Sequence, residues 1–404
     1  MDFVECLFCR KAFSHDPFSP FCPDCGEPML ILAASGPAPK TVRMAKSHPL
    51  ERFADFLPLP AFNPALSLGE GDTPFVPLKE LGAQLGIPRL FAKNEAQNPT
   101  GSFKDRGTAV AIQKAVALGF QSVGTVSTGN MAASTSAYGA RAGLRTIVLL
   151  KEGTSRTSVQ AAGIFGPGLV TVRGDYGRLF YKSLEIGEKL GIYFMNSVDP
   201  FRLEGYKVTA FEIFLDLGGK APRFVLVPLS SGGHLLGLMR GFADLERAGL
   251  VGSYPVFVGI QAEGCAPLVH AFEHRRARYE RLSDVRTVAH AISNPAPPAG
   301  NAVLKMVGDR QGILVSVSDG EMLDAQRELA AKEGLFCQPE SAVTLAGLAK
   351  LVDKGLIAGQ DDVVLVLTGS GLKALHTLDS LRLDVLEANL DDLESRLGAL
   401  TRSR

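Results

Sequence analysis

Residues 94–107 read NEAQNPTGSFKDRG, a cluster of turn residues that runs directly into a helix predicted over Asp105–Leu118. Lys104 stands at the start of that helix, between an aromatic residue and an acid. A lysine in the first turn of a helix is unusual, because the positive end of the helix dipole disfavours a cation there. The position indicates that the function of Lys104 requires its amine to be uncharged.

Downstream of this stretch, short apolar runs alternate with Ala- and Leu-rich segments of helical spacing. Strands are predicted at 124–127, 146–150, 169–172, 192–196, 224–228, 256–261, 313–317 and 363–368. Helices are predicted at 105–118, 132–142, 179–190, 233–248, 319–332 and 341–354. This alternation is typical of an α/β fold with mostly parallel sheets covered on both faces. Eight strands exceed one small sheet, so we expect two α/β domains.

The composition excludes several classes of function. The chain has 404 residues, and its 42 Lys and Arg balance 42 Asp and Glu, so no overall basic field attracts nucleic acid or anionic membrane. The N-terminus lacks the pattern of a signal peptide, and no apolar run has the length of a membrane helix. We therefore expect a cytoplasmic protein with a small-molecule substrate.

Three turns rich in Ser, Thr, Gly and Asn follow predicted strands. They are STGN at 127–130, SSGGH at 230–234 and TGSG at 368–371. Glycine lets the backbone approach a ligand, and free N–H groups at a helix start bind phosphate. A plain helix cap explains each turn singly, but three together favour a phosphorylated ligand. None matches a dinucleotide or ATP pattern. Pyridoxal phosphate carries both a phosphate and an aldehyde with which a neutral lysine forms a Schiff base.

The motif NPTGSFKDRG resembles the lysine motif of the pyridoxal-phosphate enzymes of the tryptophan synthase β-subunit fold, fold type II. Within that group the chain most resembles the threonine synthases. Four further segments carry the resemblance: GEGDTPFVPL, STGNMAASTSAYGARAG, NSVDPFRLEGYKVTAFEI and TGSGLK. The resemblance implies two three-layer α/β domains and a homodimer. It implies a large cofactor domain at 33–104 and 206–378, a small α/β domain at 105–205 and a C-terminal helix at 379–404.

The resemblance also implies the residues that bind the cofactor. Lys104 would bond to its aldehyde and later move protons, with Phe103 beside it. Asn130 would hydrogen-bond the ring hydroxyl oxygen, and Thr368 would face the pyridine nitrogen. The cofactor phosphate would lie on Ser230, Ser231, Gly232, Gly233 and His234. A neutral hydroxyl at the pyridine nitrogen does not enforce ring protonation, which suits elimination and replacement better than transamination.

The implied reaction converts O-phosphohomoserine and water to threonine and phosphate. Asn196, Ser197 and Arg202 would bind the substrate phosphate, for which the fixed fork of arginine donors is well suited. The alternative for Arg202 is a surface salt bridge. The backbone at Ser127, Thr128 and Asn130 would bind the substrate carboxylate.

Three departures from the family pattern concern the substrate more than the cofactor. The family usually has Gly-Gln-Lys-Thr where this chain has Gly205-Tyr206-Lys207-Val208. Met131 replaces a small hydroxyl residue next to the expected carboxylate site. His234 ends a phosphate loop that often reads Gly-Asn-x-Gly-Asn, although the backbone donors survive. The alternatives are a β-replacement on a phosphorylated amino acid, as in cysteate synthase, a serine/threonine ammonia-lyase, or an adaptor that has lost catalysis.

Two further patterns lie outside the central motif. Cys6, Cys9, Cys22 and Cys25 are spaced as Cys-x2-Cys, twelve residues, Cys-x2-Cys, which predicts a structural zinc ribbon over 1–32. The alternative is a metal-free ribbon of reduced thiols. Leucines at 383, 386, 390, 393, 397 and 400 form an apolar stripe in the tail, which either packs on its own subunit or contacts a second one.

Overall fold

The computed structural model describes residues 2–32, 42–44, 46–59, 61–379, 385 and 387–402. In chain order the elements are β1 (Phe3–Cys6), β2 (Ala12–Ser14), β3 (Met29–Ile31), α1 (Pro49–Arg52), β4 (Phe75–Pro77), α2 (Lys79–Leu85), β5 (Leu90–Asn94), α3 (Lys104–Ala117), β6 (Ser122–Val126), α4 (Asn130–Arg141), β7 (Arg145–Lys151), α5 (Arg156–Gly163), β8 (Gly168–Val172), α6 (Tyr176–Leu190), β9 (Tyr193–Phe194), α7 (Pro200–Asp216), β10 (Phe224–Pro228), α8 (Gly233–Arg247), β11 (Val256–Ala262), α9 (Pro267–Glu273), α10 (Gly300–Asp309), β12 (Ile313–Val317), α11 (Asp319–Glu333), α12 (Pro339–Asp353), β13 (Val363–Leu367) and α13 (Leu393–Arg402). No helix in these ranges has the length and apolar character of a membrane span.

The larger sheet has the strand order β12-β11-β10-β13-β5-β4 and is parallel except for β4. Continuous apolar runs such as FVLVP in β10 and VVLVL in β13 are buried along their whole length, as expected for a sheet covered on both faces. β13 lies between β10 and β5, with Val363 opposite both Phe224 and Leu90. The carboxyl ends of these three strands therefore lie at one edge of the sheet.

The smaller sheet has the order β8-β7-β6-β9 and is parallel throughout. β6 pairs with both β7 and β9. The turn that follows β6 and the segment that follows β9 are therefore neighbours at the carboxyl edge of this sheet. These are the two places where the sequence predicts contacts to a substrate.

Helices α3, α7 and α8 pack closely because glycines lie at their contacts. A Cβ atom at Gly205 would lie 2.2 Å from the carbonyl oxygen of Arg106, and one at Gly237 would lie 2.6 Å from the Cβ of Tyr206. Gly233, Gly237 and Gly241 recur every four residues and so share one face of α8. Side chains at these positions would push α7 away from α3 and α8.

The predicted strands and helices are confirmed to within three residues at each end. Strands β4 and β5 and helices α1, α2, α5, α7, α9 and α10 were not predicted. The domain limits stay a prediction, but α7 runs without a break across the proposed limit between residues 205 and 206.

Contacts divide the chain into one unit up to Lys373 and another from Ala374. In the second unit, a helix was expected over 379–404, but α13 begins only at Leu393 and is therefore shorter than predicted. The Asn389 N–H donates to the Asp392 carboxylate (2.6 Å) across the turn that leads into α13. Leu390 and Leu397 are exposed in this unit. The leucines predicted to share their stripe at 383 and 386 lie outside the described residues, and nothing tests the partner of the stripe.

Candidate active site

Lys104 is the first residue of α3, and Phe103, the N-cap residue of the helix, joins it to the turn before it. Two backbone hydrogen bonds tie this turn to the end of β13: the Phe103 N–H donates to the Thr368 carbonyl (3.0 Å), and the Ser370 N–H donates to the Gly101 carbonyl (3.0 Å). Burial, reinforced by the positive charge of Arg202, lowers the pKa of Lys104 to about 7. The amine therefore loses its charge near neutral pH, as a nucleophile requires.

The residues around Lys104 hold the motif in place, and the sequence alone did not assign them. The carboxylate of Asp105 accepts hydrogen bonds from both the N–H and the hydroxyl of Thr100, each 2.6 Å long. Arg106 is buried between the carboxylates of Glu95 (2.5 Å) and Glu212 (2.6 Å). These bonds fix the turn before Lys104 and the first turn of α3 to each other, to β5 and to α7.

An aromatic cluster surrounds the lysine. Lys104 Nζ lies 4.3 Å from the centroid of the Phe103 ring. The His234 ring is stacked on the Phe103 ring, with their centroids 3.8 Å apart. The centroid of the Tyr206 ring lies 5.1 Å from that of Phe103 and 5.4 Å from that of His234. Burial and the nearby Lys104 lower the pKa of His234 well below its usual value. Neither ring nitrogen of this neutral imidazole has a hydrogen-bond partner in the described part of the chain.

The turn Ser230–Gly233 forms a narrow cradle between β10 and α8. Gly232 has a φ of 95°, a left-handed conformation that favours glycine. A Cβ at Gly232 would lie 2.8 Å from Val303, and one at Gly233 would lie 2.6 Å from the carbonyl oxygen of Ser197. The turn is held from outside, because the Ala299 N–H donates to the Ser231 carbonyl (3.1 Å). The N–H groups that open α8 can therefore be approached closely by an anion.

A second polar group lies at the end of β13. The hydroxyls of Thr368 and Ser341 are 3.0 Å apart, and the Gly369 N–H donates to Ser341 Oγ (3.0 Å). The side-chain amide of Asn130 donates to Gln338 (2.7 Å). Gln338 is the N-cap residue of α12, and Ser341 lies in its first turn. No sequence pattern indicates their role, because they are distant along the chain from every glycine-rich turn.

Arg202, in the first turn of α7, is fully buried. Its guanidinium donates to the hydroxyls of Thr108 (2.9 Å) and Thr135 (3.1 Å) and to the Met195 carbonyl (3.1 Å). In the described chain, all hydrogen bonds of this guanidinium end on neutral oxygens. The alternative of a surface salt bridge is therefore wrong, and a positive charge without a carboxylate partner lies beside Lys104.

The remaining predicted substrate residues lie at the carboxyl edge of the smaller sheet. Asn196 is buried, and both ends of its amide are used: it accepts from the Val126 N–H (2.8 Å) and donates to Ser183 (3.0 Å). Its side chain therefore links the end of β6 to helix α6. Ser197 is next to Gly233 of the cradle. Ser127 accepts from the Gly129 N–H (3.3 Å), in the turn where Thr128 precedes α4.

The four N-terminal cysteines come together beside a three-stranded antiparallel sheet of order β2-β1-β3, with Cys6 at the end of β1. Their sulfur atoms all lie within 4.8 Å of one another, with Cys6 and Cys25 at 3.4 Å and Cys9 and Cys22 at 3.7 Å. Tetrahedral zinc–thiolate bonds of about 2.3 Å separate the sulfurs by about 3.8 Å. The donor set and its spacing fit a closed zinc site.

Comparison with known proteins defines the class. The model of the pyridoxal-phosphate dependent enzyme family matches residues 66–369, and the chain belongs to this family. Among its relatives, it groups with the threonine synthases. It is 36% identical to the threonine synthase of Methanocaldococcus jannaschii over 91% of this chain and 92% of that one. It is 32% identical to that of Methanosarcina acetivorans over 98% of both chains.

Solved structures share the fold at lower identity. The processed form of threonine deaminase isoform 2 from Solanum lycopersicum superposes with a TM-score of 0.66 at 19% identity, over 87% of this chain and all of that one. O-ureido-L-serine synthase gives 0.63 at 21% identity, over 83% of this chain and all of that one. These likenesses establish the α/β architecture of the family.

The residues of the site fit pyridoxal phosphate. The buried nitrogens of His234 and the buried hydroxyl of Ser102 have no partner in the described chain, and unsatisfied buried polar groups are rare unless a ligand completes them. The cradle at Gly232 and Gly233 leaves no room for side chains but presents N–H groups to an anion. The amine of Lys104, with its pKa of about 7, completes the set.

Proposed function

We propose that this enzyme is a threonine synthase, which converts O-phosphohomoserine and water to threonine and phosphate. The observation that carries the proposal is Arg202: a fully buried guanidinium whose hydrogen bonds end on neutral oxygens, next to Lys104. The Asp199 carboxylate acts on this charge from nearby but accepts only from the Arg202 backbone N–H (2.9 Å), not from the guanidinium. Burial of the guanidinium is therefore costly, and an anionic substrate group would offset the cost. The curated threonine synthases that match nearly the whole chain support the same substrate.

Each part of the cofactor would meet a separate group of residues. Lys104 would attach to the aldehyde, with the Phe103 ring beside it. Ser230, Ser231, Gly232, Gly233 and His234 would hold the phosphate. Asn130 would hold the ring hydroxyl oxygen, and Thr368 would face the pyridine nitrogen. When bound, pyridoxal phosphate withdraws electrons from the carbon atoms of the amino acid to which it is joined.

The residues of the chain would then bind the substrate and move its protons. Arg202, with Ser197 and Asn196, would hold the substrate phosphate and stabilise it as it leaves. The backbone of Ser127, Thr128 and Asn130 would hold the carboxylate. Lys104 would take a proton at one carbon and return it at another, for which a pKa of about 7 is suited.

Thr368 favours this elimination and addition over transamination. Its hydroxyl shares a hydrogen bond with Ser341 (3.0 Å). Both groups are neutral, so they would not enforce a proton on the pyridine nitrogen. The electron-withdrawing capacity of the cofactor would then suit loss of a phosphate group.

We also propose structural zinc on Cys6, Cys9, Cys22 and Cys25, for which the spacing of the four sulfurs is the support. The proposed domain limits, a homodimer and a cytoplasmic location complete the proposal, with the resemblance to the threonine synthases as their support.

The test is turnover by the purified enzyme loaded with pyridoxal phosphate. With O-phosphohomoserine we expect stoichiometric release of phosphate and threonine. Arg202→Met is expected to lose this activity while it still binds the cofactor. Turnover of O-phosphoserine without turnover of O-phosphohomoserine would favour a β-replacement, and ammonia release from threonine or serine would favour an ammonia-lyase.

A further inference from the structure

Tyr206 is locked in place beside the proposed substrate-phosphate site. It lies on α7, one turn after Arg202, and is 1% exposed. Its Cβ lies 2.6 Å from the position that a Cβ at Gly237 of α8 would occupy. Its Cζ lies 2.7 Å from the position of a Cβ at Gly107 of α3. The ring is therefore held between two helices and cannot swing out to reach water.

In the part of the chain that the structure describes, the hydroxyl of Tyr206 meets no acceptor for its proton. The Arg202 guanidinium, which influences the phenol as a hydrogen-bond donor, cannot accept one. A buried hydroxyl without an acceptor destabilises a protein relative to phenylalanine of the same shape. Burial raises the pKa of the phenol, so the group is a neutral donor at physiological pH. Its retention indicates that a ligand accepts this hydrogen bond in the working enzyme.

The surroundings of the hydroxyl identify the kind of acceptor. After burial, the strongest influence on the phenol is the positive charge of Arg202. Arg202 contacts the same point of α3, since its Cγ would lie 2.5 Å from a Cβ at Gly107. The guanidinium cannot accept a hydrogen bond, but an anion that it holds can. Two donors, one charged and one neutral, thus lie side by side on α7.

We propose that the Tyr206 hydroxyl is a specificity-determining donor to the phosphate group of the substrate, alongside Arg202. This inference rests on the proposed function and deepens it. Arg202 attracts any anion, whereas the rigid phenol adds a directed hydrogen bond that a tetrahedral phosphate can accept while its other oxygens remain on the guanidinium. A substrate without the phosphate would leave the phenol without an acceptor and the guanidinium without an anion, and is thereby rejected.

The test compares Tyr206→Phe with the wild type as cofactor-loaded enzymes. We expect the KM for O-phosphohomoserine and the inhibition constant of inorganic phosphate each to rise about tenfold, the usual effect of one hydrogen bond to a charged group. The dissociation constant and absorbance of the cofactor are expected to stay unchanged. Tyr206→Gln, which restores a donor, is expected to recover part of the phosphate affinity.

Tyr254→Phe is the matched control, because it removes another tyrosine hydroxyl that is bonded within the protein, to the Met239 carbonyl (2.7 Å). It should lower the melting temperature and leave phosphate inhibition unchanged, whereas Tyr206→Phe should not lower the melting temperature. If Tyr206→Phe is active and its inhibition by phosphate is unchanged, the inference is overturned. It is also overturned if only cofactor binding is weakened, because that result would place the hydroxyl on the cofactor phosphate. A wild-type enzyme inactive on O-phosphohomoserine overturns the proposed function instead.

Discussion

At the scale of single residues, we expect the charge of Lys104 to control attachment of the cofactor, for which we propose this lysine. Its pKa is lowered to about 7 by burial and by Arg202, so the amine is protonated below about pH 7 and free above it. We expect the rate at which the apoenzyme attaches pyridoxal phosphate to rise with pH, to be half-maximal near pH 7 and then to level off. The measurement is stopped-flow absorbance after mixing, with borohydride trapping of the lysine.

Arg202→Met provides the internal check on that profile. Removal of the like charge should raise the pKa of Lys104 and move the midpoint to higher pH. Lys79→Met, at an exposed lysine on α2, should leave the midpoint in place. A rate that is flat between about pH 6 and about pH 9 would contradict the assignment of a depressed lysine pKa.

Sequence could predict those residues whose proposed role is indicated by their immediate neighbours in the chain. Lys104 belongs to a contiguous motif, and the turns at Ser230 and Thr368 stand directly after apolar strands. Tyr206 and Ser341 could not be assigned this way. Their roles depend on partners brought together by the fold: Gly107 and Gly237 for Tyr206, and Thr368 for Ser341.

At the scale of elements, the close contact of α7 with α8 depends on glycine. Gly237→Val would place its Cβ 2.6 Å from that of Tyr206 and 2.9 Å from the Leu203 carbonyl oxygen. We expect it to lower the free energy of unfolding by about 1–3 kcal/mol and to raise the KM, since α7 carries Arg202. Gly308→Ala is the control: it is helical with open space at Cβ, and should stabilise the protein by about 0.5–1 kcal/mol. Urea unfolding measures both.

The buried ion cluster of α3 predicts a dependence of stability on pH. Burial would raise the pKa of Glu212, but Arg106 and Lys93 outweigh it and lower this pKa to about 2. This carboxylate therefore contributes stability that is complete above its ordinary pKa of about 4.3 and is lost as pH falls towards 2.

Arg106→Met would leave Glu95 and Glu212 buried without their common partner. We expect it to lower the free energy of unfolding at pH 7 by about 3–5 kcal/mol. At about pH 4 the loss should be smaller, because Glu95 and Glu212, which keeps only its Lys93 partner, can take up protons. Urea titrations at the two pH values measure the difference, and an equal loss at both would argue against a role for the charges.

Two of the elements missed by sequence have identifiable causes. β5 reads LFAKN, and the charged Lys93 interrupts the apolar pattern of a buried strand. This lysine can be buried because its ammonium pairs with Glu212 and Asp216 at 2.9 Å each. α7 does carry a start signal: Asp199 caps its N-terminus and Pro200 follows. The helix was nevertheless missed because it is buried on all sides from Pro200 to Phe214, and so it lacks the amphipathic pattern by which helices are predicted.

At the scale of the whole molecule, the cysteine sheet is joined to the cofactor cradle. Glu27, which follows the second cysteine pair, accepts from the Asn301 side chain (2.8 Å) in the first turn of α10. Ala299, the residue before α10, donates to the Ser231 carbonyl (3.1 Å). Movement of the sheet would therefore be passed to the turn that we propose for the cofactor phosphate.

This connection predicts that metal removal weakens cofactor retention. We expect a chelator to remove about one zinc per chain, to lower the melting temperature and to increase the dissociation constant of pyridoxal phosphate. Cys22→Ser should reproduce both effects and make the protein insensitive to the chelator. Asn301→Ala should weaken cofactor retention with zinc still bound. A metal-depleted protein with unchanged melting temperature and cofactor affinity would refute the connection.

The position of β13 has a consequence for biosynthesis. It is the last of the described strands to leave the ribosome, yet it lies in the middle of the larger sheet, where it alone joins β5 to β10. A nascent chain that lacks it holds two separate fragments of sheet, and neither can bring Thr368 to Phe103. We therefore expect vitamin B6 to be captured only after this strand has been translated, and a prematurely terminated polypeptide to lack the binding site for it.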